Sequence, residues 1–267
     1  MKIVCMKGGL GNQLFEYCFY RYMRKKNGGK DVYLYYDHAR LKEHGGLQLS
    51  NVFDIDLPAR SADITLIVWG IKMLRLFKWG RKLWDDTQPG AILIDDYCQD
   101  KRYQEEIKLP TFRYMLYHTK TMRMREEIEK SAFAVSLHVR RGDYLLPGNK
   151  EAFGCCDESY YQRAVERIKK EYPQARFFLF SDDKEWLAQE GLPGLDATPV
   201  ISGDEVNEGW DMELMSLCRG HVIANSTYSY WGARLAPVNS ITIYPEKWYA
   251  HPEWKAPDIF PEEWIKM

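Results

Sequence analysis

Short apolar runs alternate along the chain with longer segments of helical periodicity. This alternation favours a parallel sheet covered by helices, because a strand buried on both faces reads as an unbroken apolar run. In the first half the pattern predicts strands at 2–6, Val32–Tyr36 and Ala91–Ile94. In the second half it predicts these elements in order: strand Phe133–Val139, helix Asp157–Lys170, strand Arg176–Phe180, helix Lys184–Gln189, helix Trp210–Cys218, strand His221–Ala224, a helix from Thr227, and strand Ile241–Tyr244.

The same pattern divides the chain into two α/β halves. Its 267 residues suit one large domain or two modest ones. We expect two Rossmann-like halves with a cleft between them, the first domain covering 1–125 and the second 126–250. Residues 251–267 are expected to form a C-terminal tail that packs back on the first domain.

Composition excludes some function classes. The chain carries 37 Lys and Arg against 38 Asp and Glu, so it has no basic coat for nucleic acid, and an anionic ligand needs a local cluster of positive groups. Its six cysteines form no C-x-x-C pair and no zinc spacing, which is typical of a reduced, cytoplasmic protein. No apolar run of about 20 residues predicts a membrane span.

The segment Ile64–Trp84 is unusual because it is rich in apolar residues and every charge within it is positive. Its charged residues are Lys72, Arg75, Lys78, Arg81 and Lys82. One interpretation is a basic amphipathic helix lying on the anionic inner face of a membrane as a peripheral contact. The other is a helix that faces the core and presents a solvated basic face.

A glycine-rich loop, Gly8-Gly9-Leu10-Gly11-Asn12-Gln13, lies between the first strand and the first helix. Glycines allow backbone amides to approach a ligand, and a helix start favours anions. The dinucleotide fingerprint G-x-G-x-x-G is incomplete, since Leu14 occupies the third glycine position, although Asp37 follows the next strand as a ribose-binding acid would. A tight turn without a ligand explains the loop equally well.

Three further polar segments follow strands of the second half: His138–Tyr144, Ser181–Asp183 and Asn225–Gly232. Ligands of open α/β sheets bind beyond the carboxyl ends of the strands. The adjacent Arg140 and Arg141 provide fork donors suited to a diphosphate, or alternatively a structural salt-bridge cluster.

In the other two segments, small polar and acidic side chains suit a nucleotide. A carboxylate of Ser181–Asp183 can accept hydrogen bonds from a guanine edge or from ribose, while the other caps the next helix. The Ser and Thr hydroxyls of Asn225–Gly232, at a helix start, suit phosphate.

The pair Asp54 and Asp56 has the D-x-D form with which some glycosyltransferases hold a divalent cation. It lies in the first half, far in sequence from the loops suited to phosphate. We expect a turn there and no metal site.

Taken together, GGLGNQLFEY, HVRRGDY, SDD and NSTYSYWGARL, in this order and spacing, resemble the alpha-1,2-fucosyltransferases of glycosyltransferase family 11. The resemblance extends from residue 1 to about residue 250. Tyr230 departs from the family, which more often has Trp there, and Arg234 stands where another residue is expected.

The resemblance implies a GT-B-like bacterial enzyme, with an acceptor-side first domain and a second domain that binds GDP-β-L-fucose. Fucose would pass to the 2-hydroxyl of a terminal β-galactoside, with inversion and with neither metal nor cofactor. It implies a catalytic role for Arg140 on the β-phosphate, with Asp143 and Glu16 as candidate bases. The implied donor-binding residues are Gly9, Gly11, His138, Arg140, Arg141, Asp182, Asn225, Ser226, Thr227 and Ser229, and Asn12 would face the diphosphate–fucose end.

Two alternatives remain. One is a Rossmann-type oxidoreductase built on the glycine-rich loop and Asp37, which the missing third glycine disfavours. The other is a non-catalytic glycan-binding module, suggested by the 18 Tyr and 9 Trp residues. A neutral sugar needs no phosphate cradle, so the two arginines and the Ser/Thr loop disfavour a module of this kind.

Overall fold

The computed structural model describes residues 1–85, 90–113, 119–201 and 208–267. The chain divides into two compact units, Met1–Arg113 and Tyr114–Met267. The boundary comes earlier than the expected one at 125, because the helix Thr119–Lys130 packs within the second unit. Its Ile128 is buried there against Leu214 and Met215.

The first unit contains a three-stranded parallel sheet in the order β2-β1-β3. Its elements in chain order are β1 (Lys2–Met6), α1 (Leu10–Lys26), β2 (Val32–Tyr36), α2 (His38–Lys42), α3 (Leu49–Val52), α4 (Ala62–Leu76), α5 (Arg81–Trp84), β3 (Leu93–Ile94) and α6 (Arg102–Glu105). The first and second predicted strands are confirmed, and the third is shorter than predicted.

The second unit contains a six-stranded parallel sheet in the order β6-β5-β4-β7-β8-β9. Its elements are α7 (Thr119–Lys130), β4 (Phe133–Val139), α8 (Asn149–Ala152), α9 (Glu158–Glu171), β5 (Ala175–Ser181), α10 (Lys184–Gln189), β6 (Ala197–Pro199), α11 (Glu208–Ser216), β7 (Gly220–Val222), α12 (Thr227–Arg234), β8 (Ile241–Tyr244) and β9 (Ile265–Lys266). Counted within the unit, the order is 3-2-1-4-5-6, that of the Rossmann fold. The expected α/β class with two Rossmann-like halves is therefore confirmed.

Helices cover both faces of the second sheet, which explains why β4 is buried along its whole length. Side chains of a strand alternate between the two faces. Leu137 of β4 packs with Tyr161 and Ile168 of α9, whereas Ala134 packs on the opposite side with Ile128 and Leu214.

The C-terminal tail, 251–267, belongs to the second unit and packs on the sheet of that unit. Strand β9 extends the second sheet beside β8, and the ring of Phe260 stacks on Tyr244 at 3.9 Å. Tyr230 explains part of this docking, because its buried hydroxyl donates to the carbonyl of Ile259 at 2.9 Å. A Trp at this position has no hydroxyl to make that bond.

Candidate active site

The second sheet reverses its strand order between β4 and β7, which makes this pair the topological switch point. In open α/β sheets the loops that leave two such strands diverge and form a crevice for a ligand. Arg140 and Arg141 directly follow β4, and Asn225 and Ser226 follow β7. Asp182 follows β5, the other neighbour of β4. The topology thus brings three of the polar segments to one edge.

Arg140 is held in a fixed orientation at this edge. Its guanidinium donates to Asp143 Oδ1 at 2.6 Å and lies 3.0 Å from Asp182 Oδ2. Its charge also lies over the ring of Tyr144, 5.2 Å from the centroid. The side chain is 25% exposed, so the group is oriented by its neighbours but still reachable from solvent.

Arg141 points away from Arg140, as adjacent residues at a strand end must. Its Nε donates to Asp183 Oδ2 at 3.1 Å, and its guanidinium lies 4.5 Å from the centroid of the Trp186 indole. Asp183 also caps α10, because its Oδ1 accepts the amide of Trp186 at 3.0 Å. One acid of the Ser181–Asp183 segment therefore caps the next helix, as expected.

Asp182 connects the loop after β5 with the loop after β4. Its Oδ1 accepts the backbone amide of Arg141 at 2.9 Å, and its Oδ2 lies beside Arg140. Gly142 leaves room for this contact, because a Cβ there would overlap Asp182 Oδ2 and displace the carboxylate. Asp182 is thus built into the support of Arg140.

Asn225 is buried, and its side chain joins three loops. Its Nδ2 donates to the carbonyls of Phe153, Gly154 and Trp248 at 3.0–3.2 Å. Its own carbonyl accepts the hydroxyl of Tyr144 at 3.1 Å, on the loop that carries Arg140. The side chain therefore positions the loop after β7 and does not point to a ligand.

Of the three Ser and Thr residues at the start of α12, only Thr227 is not buried. Ser226 is the N-cap and accepts the amide of Tyr228 at 3.3 Å. Ser229 is 1% exposed and donates to the carbonyl of Ser226 at 3.3 Å. Thr227 is half-buried, so it is the residue of this trio best placed to meet an anion at the helix start.

His138 is buried in β4, with its ring 6.1 Å from that of Tyr228. Burial, together with the charges of Arg140 and Lys184, lowers the pKa of His138 to about 3. The ring is therefore neutral at physiological pH. Its Nδ1 is buried without a hydrogen-bond partner among the described residues.

In the first unit, the glycine-rich loop closes tightly at the carboxyl end of β1. Gly8 has φ +70°, and a Cβ there would lie 3.1 Å from Asn12 Nδ2. Gly9 is the N-cap of α1, and Gly11 is buried in its first turn. Asn12 Oδ1 accepts the side-chain amide of Gln99 at 3.0 Å.

Charged residues follow all three strands of the first sheet and pair with one another. Asp95, after β3, accepts from Lys7 and Arg40 at 2.8 Å each, and Asp37, after β2, accepts from Lys72 at 2.7 Å. Burial alone would raise the pKa of Asp37, but the hydrogen bonds from Lys72 and Arg40 outweigh it and hold the value at about 2. Asp37 also caps α2, so a ribose would have to compete with this network.

Glu16, one of the two candidate bases, is fully buried in α1. Its Oε2 accepts the backbone amide of Lys7 at 2.9 Å. Burial raises the pKa of Glu16 well above its usual range. The side chain faces the interior and not a substrate. Asp143, the other candidate, is 38% exposed beside Arg140.

Sequence reasoning missed the supporting residues of the site. Trp186, which stacks on Arg141, has no motif of its own, and Gly142 and Tyr144 stood in the predicted segment without an assigned role. Asp54 and Asp56 are exposed in the first unit. Over the described part of the chain, no group of three His, Cys, Asp or Glu residues is arranged to hold a metal ion.

The second unit thus carries an arginine pair and a capped helix start at the switch point of a Rossmann-ordered sheet, the place where open α/β sheets bind ligands. The chain combines this unit with a first unit that also holds a parallel sheet. The model of the family described as Glycosyl transferase family 11 matches residues 79–267. The chain belongs to this family.

Two relatives that match most of this chain are named as alpha-1,2 sugar transferases. The chain is 29% identical to an alpha-1,2-colitosyltransferase of Escherichia coli, over 98% of this chain and 97% of that protein. It is 25% identical to galactoside alpha-(1,2)-fucosyltransferase 2 of Pongo pygmaeus, over 88% of this chain and 69% of that protein. Among solved structures, fucosyltransferase NodZ from Bradyrhizobium is 16% identical, with a TM-score of 0.48, over 88% of this chain and 91% of that one.

Within the described residues, no helix is long and apolar enough to cross a membrane.

Proposed function

We propose that the protein transfers L-fucose from GDP-β-L-fucose to the 2-hydroxyl of a terminal β-galactoside, with inversion and without a metal. The observation that carries the proposal is the oriented guanidinium of Arg140 at the switch point of a Rossmann-ordered sheet. Membership of glycosyl transferase family 11 and the names of the relatives support the same reaction class.

Arg140 would stabilise the departing diphosphate. Negative charge grows on the β-phosphate as the bond between fucose and oxygen breaks, so a fixed donor acts more strongly in the transition state than in the ground state. A guanidinium carries five N–H donors, more than its contacts with Asp143 and Asp182 require. The acidic neighbours therefore orient Arg140 and still leave donors for phosphate oxygens.

The start of α12 would hold the remaining phosphate charge. Amides at a helix N-terminus favour anions, and the exposed part of Thr227 lies at this end. Ser226 and Ser229 would act by shaping the turn, since both hydroxyl groups bond within it. Asn225 would act in the same indirect way, by holding the loop.

The nucleoside would bind near His138, Asp182 and Arg141. A neutral His138 presents one donor and one acceptor nitrogen to a polar partner. Asp182 would contact guanine only if it gave up its hydrogen bond to the Arg141 amide or its ion pair with Arg140. We therefore assign to Asp182 the positioning of Arg140 first and nucleoside recognition second.

In the first unit, Asn12 and the amides near Gly9 and Gly11 would supply further donor-binding groups. Asp143 is the candidate base, because it is partly exposed beside Arg140 whereas Glu16 is buried. A cation-like transition state needs only weak help from a base.

A second donor deserves a direct test, because the colitosyltransferase relative covers 98% of this chain. The protein would be incubated with GDP-fucose or GDP-colitose and a panel of β-galactosides, and NMR would give the linkage and anomeric configuration of each product. We expect an α-1,2-linked fucoside. Turnover with GDP-colitose but not with GDP-fucose would show that fucose is not the sugar transferred. A linkage to another hydroxyl would overturn the acceptor assignment.

Calorimetry tests the nucleotide separately from turnover. We expect GDP to bind without fucose and more tightly than UDP. Equal affinity for GDP and UDP would contradict the proposal that the site recognises guanine.

A further inference from the structure

Helix α4 has two apolar faces, and only one of them is packed. Ile64, Val68 and Ile71 pack against Ile3, Cys5 and Leu93 of the sheet. On the opposite side of the helix lies a second stripe, Leu66, Trp69 and Leu76, followed by Phe77 and Trp79 beyond the helix end. We call these five residues the outer face. Each of them is between 65% and 75% exposed.

The outer face concentrates apolar surface that is otherwise spread over the protein. Among the described residues, six of the fifteen exposed large hydrophobic side chains fall between 66 and 79. Soluble proteins expose single apolar residues freely, but a contiguous patch marks an interaction surface. Two tryptophans within it are typical of a contact with a membrane interface.

The basic residues of the segment divide into two groups. Lys72 and Arg75 point to the sheet, where they pair with Asp37 at 2.7 Å and Asp95 at 3.2 Å. Lys78, Arg81 and Lys82 follow the helix and are exposed beside Trp79. The helix α4 therefore faces the core, as one of the two interpretations predicted, but its most exposed side chains are apolar and are bordered by cations at its C-terminal end.

Charge decides which partner fits the outer face. No Asp or Glu occurs from Ile64 to Trp84, whereas Asp85 and Asp86 follow the segment directly. Among the described residues, Arg81 pairs with Asp85, and Lys78 and Lys82 are exposed. A second copy of the same surface would bring like charges together. An anionic bilayer instead offers apolar depth for the outer face and negative headgroups for the bordering lysines and arginine.

We propose that the outer face of α4, with Lys78, Arg81 and Lys82 at its border, docks the protein on an anionic lipid surface. The indole and leucine side chains insert at the level of the headgroups, and the cations contact lipid phosphates. This docking is independent of the transferase reaction, because none of these residues belongs to the proposed donor site.

Co-sedimentation of the full chain with vesicles tests the proposal. The vesicles are phosphatidylcholine with or without one-third phosphatidylglycerol, each at low and high sodium chloride. We expect binding to the phosphatidylglycerol vesicles at low salt, weaker binding at high salt, and little binding to phosphatidylcholine alone. Absence of binding at low salt would overturn the proposal.

Two variants separate the apolar and electrostatic parts. Leu66→Gln with Trp69→Gln should lower the partition coefficient at least tenfold, while Val238→Gln, an exposed apolar control on the second unit, should leave it unchanged. The double variant Lys78→Ser, Lys82→Ser should lower the partition coefficient about fivefold for each charge removed. The control variant Lys30→Ser, Lys108→Ser, which removes two exposed lysines elsewhere in the first unit, should leave the partition coefficient unchanged.

Folding and assembly are checked on the same samples. The outer-face variants should keep the Tm of the wild type and its turnover with a soluble acceptor, since the changed side chains are exposed. Equal vesicle binding by variants and controls would overturn the assignment. A change from dimer to monomer in the Leu66→Gln, Trp69→Gln variant would show that a second copy covers this face instead.

Discussion

Arg140 is oriented by residues from two loops, and each support has a distinct physical role. Asp143 and Asp182 fix the two ends of the guanidinium, and Tyr144 lies beneath it. Gly142 supplies the space that Asp182 needs. A planar donor held in this way loses little entropy when it meets a phosphate, which is the basis of electrostatic preorganisation.

We expect Arg140→Ala to lower turnover by roughly 10²–10³-fold, equivalent to about 3–4 kcal/mol, the usual effect of removing one such donor. Arg140→Lys should recover only part of the loss, because an ammonium keeps the charge without the planar fork. Affinity for GDP should fall less than turnover. Steady-state kinetics and calorimetry on the folded variants provide both measurements.

Arg167→Ala is the matched control, because Arg167 pairs with Glu171 on the exposed face of α9. It should leave turnover unchanged. Near-normal turnover in a folded Arg140→Ala variant would shift the assignment to Arg141.

Glu16 gives a residue-scale test that depends on pH. A carboxyl whose folded pKa is raised binds its proton more tightly in the folded state, so stability falls as pH rises above about 4.3, the pKa in the unfolded chain. Glu16→Gln removes this loss. Relative to wild type, its free energy of unfolding should be higher at pH 8, and the gain should shrink toward pH 4.5.

Denaturant unfolding across this pH range measures the difference. The turnover of Glu16→Gln should stay within a few-fold of wild type, since a buried residue does not reach the acceptor. A loss of about 100-fold or more, the usual contribution of a general base, would restore Glu16 as the base.

At the scale of elements, two glycines in helices have opposite surroundings. In α12, a Cβ at Gly232 would lie 2.9 Å from the Cβ of Met215 in α11, so the two helices pack closely. In α4, a Cβ at Gly70 would meet nothing within 4 Å. The first glycine is required by packing, whereas the second only lowers helix propensity.

Gly232→Ala should therefore destabilise the protein by about 1–3 kcal/mol, the usual cost of overpacking. Gly70→Ala should stabilise it by up to about 1 kcal/mol. Because α12 carries the proposed phosphate site, Gly232→Ala should also weaken GDP binding. Equal changes in the free energy of unfolding for the two variants would show that α11 and α12 separate at little cost.

At the scale of the whole molecule, the reaction is expected to need no divalent cation. The motivation is the residue inventory: Asp54 and Asp56 are exposed in the first unit, and the described part of the second unit offers no group of ligands. Turnover should therefore persist in excess EDTA. Complete loss of turnover that manganese restores would contradict this prediction, and a known metal-dependent transferase serves as the positive control.

The local pattern of the chain determined its class and most of its strands. Apolar runs and turn residues predicted β1, β2, β4 and β8 with their observed bounds, because strands buried on both faces leave a strong signal. Motifs also located Arg140, Asp182 and the start of α12 at strand ends. The strands of two or three residues left a weaker signal: β6 and β9 were not predicted, and β3 and β7 were predicted with other bounds.

Only the tertiary structure decided which polar residues stay available. Asn225, Ser229 and Glu16 look as free in sequence as Thr227 and Asp143, yet the first three are buried, each hydrogen-bonded to a backbone group. Only the tertiary structure also decided that the outer face of α4 stays exposed and that the C-terminal tail packs beside β8. Hydrogen bonding and burial depend on contacts between residues distant in the chain, and local periodicity carries no information about those contacts.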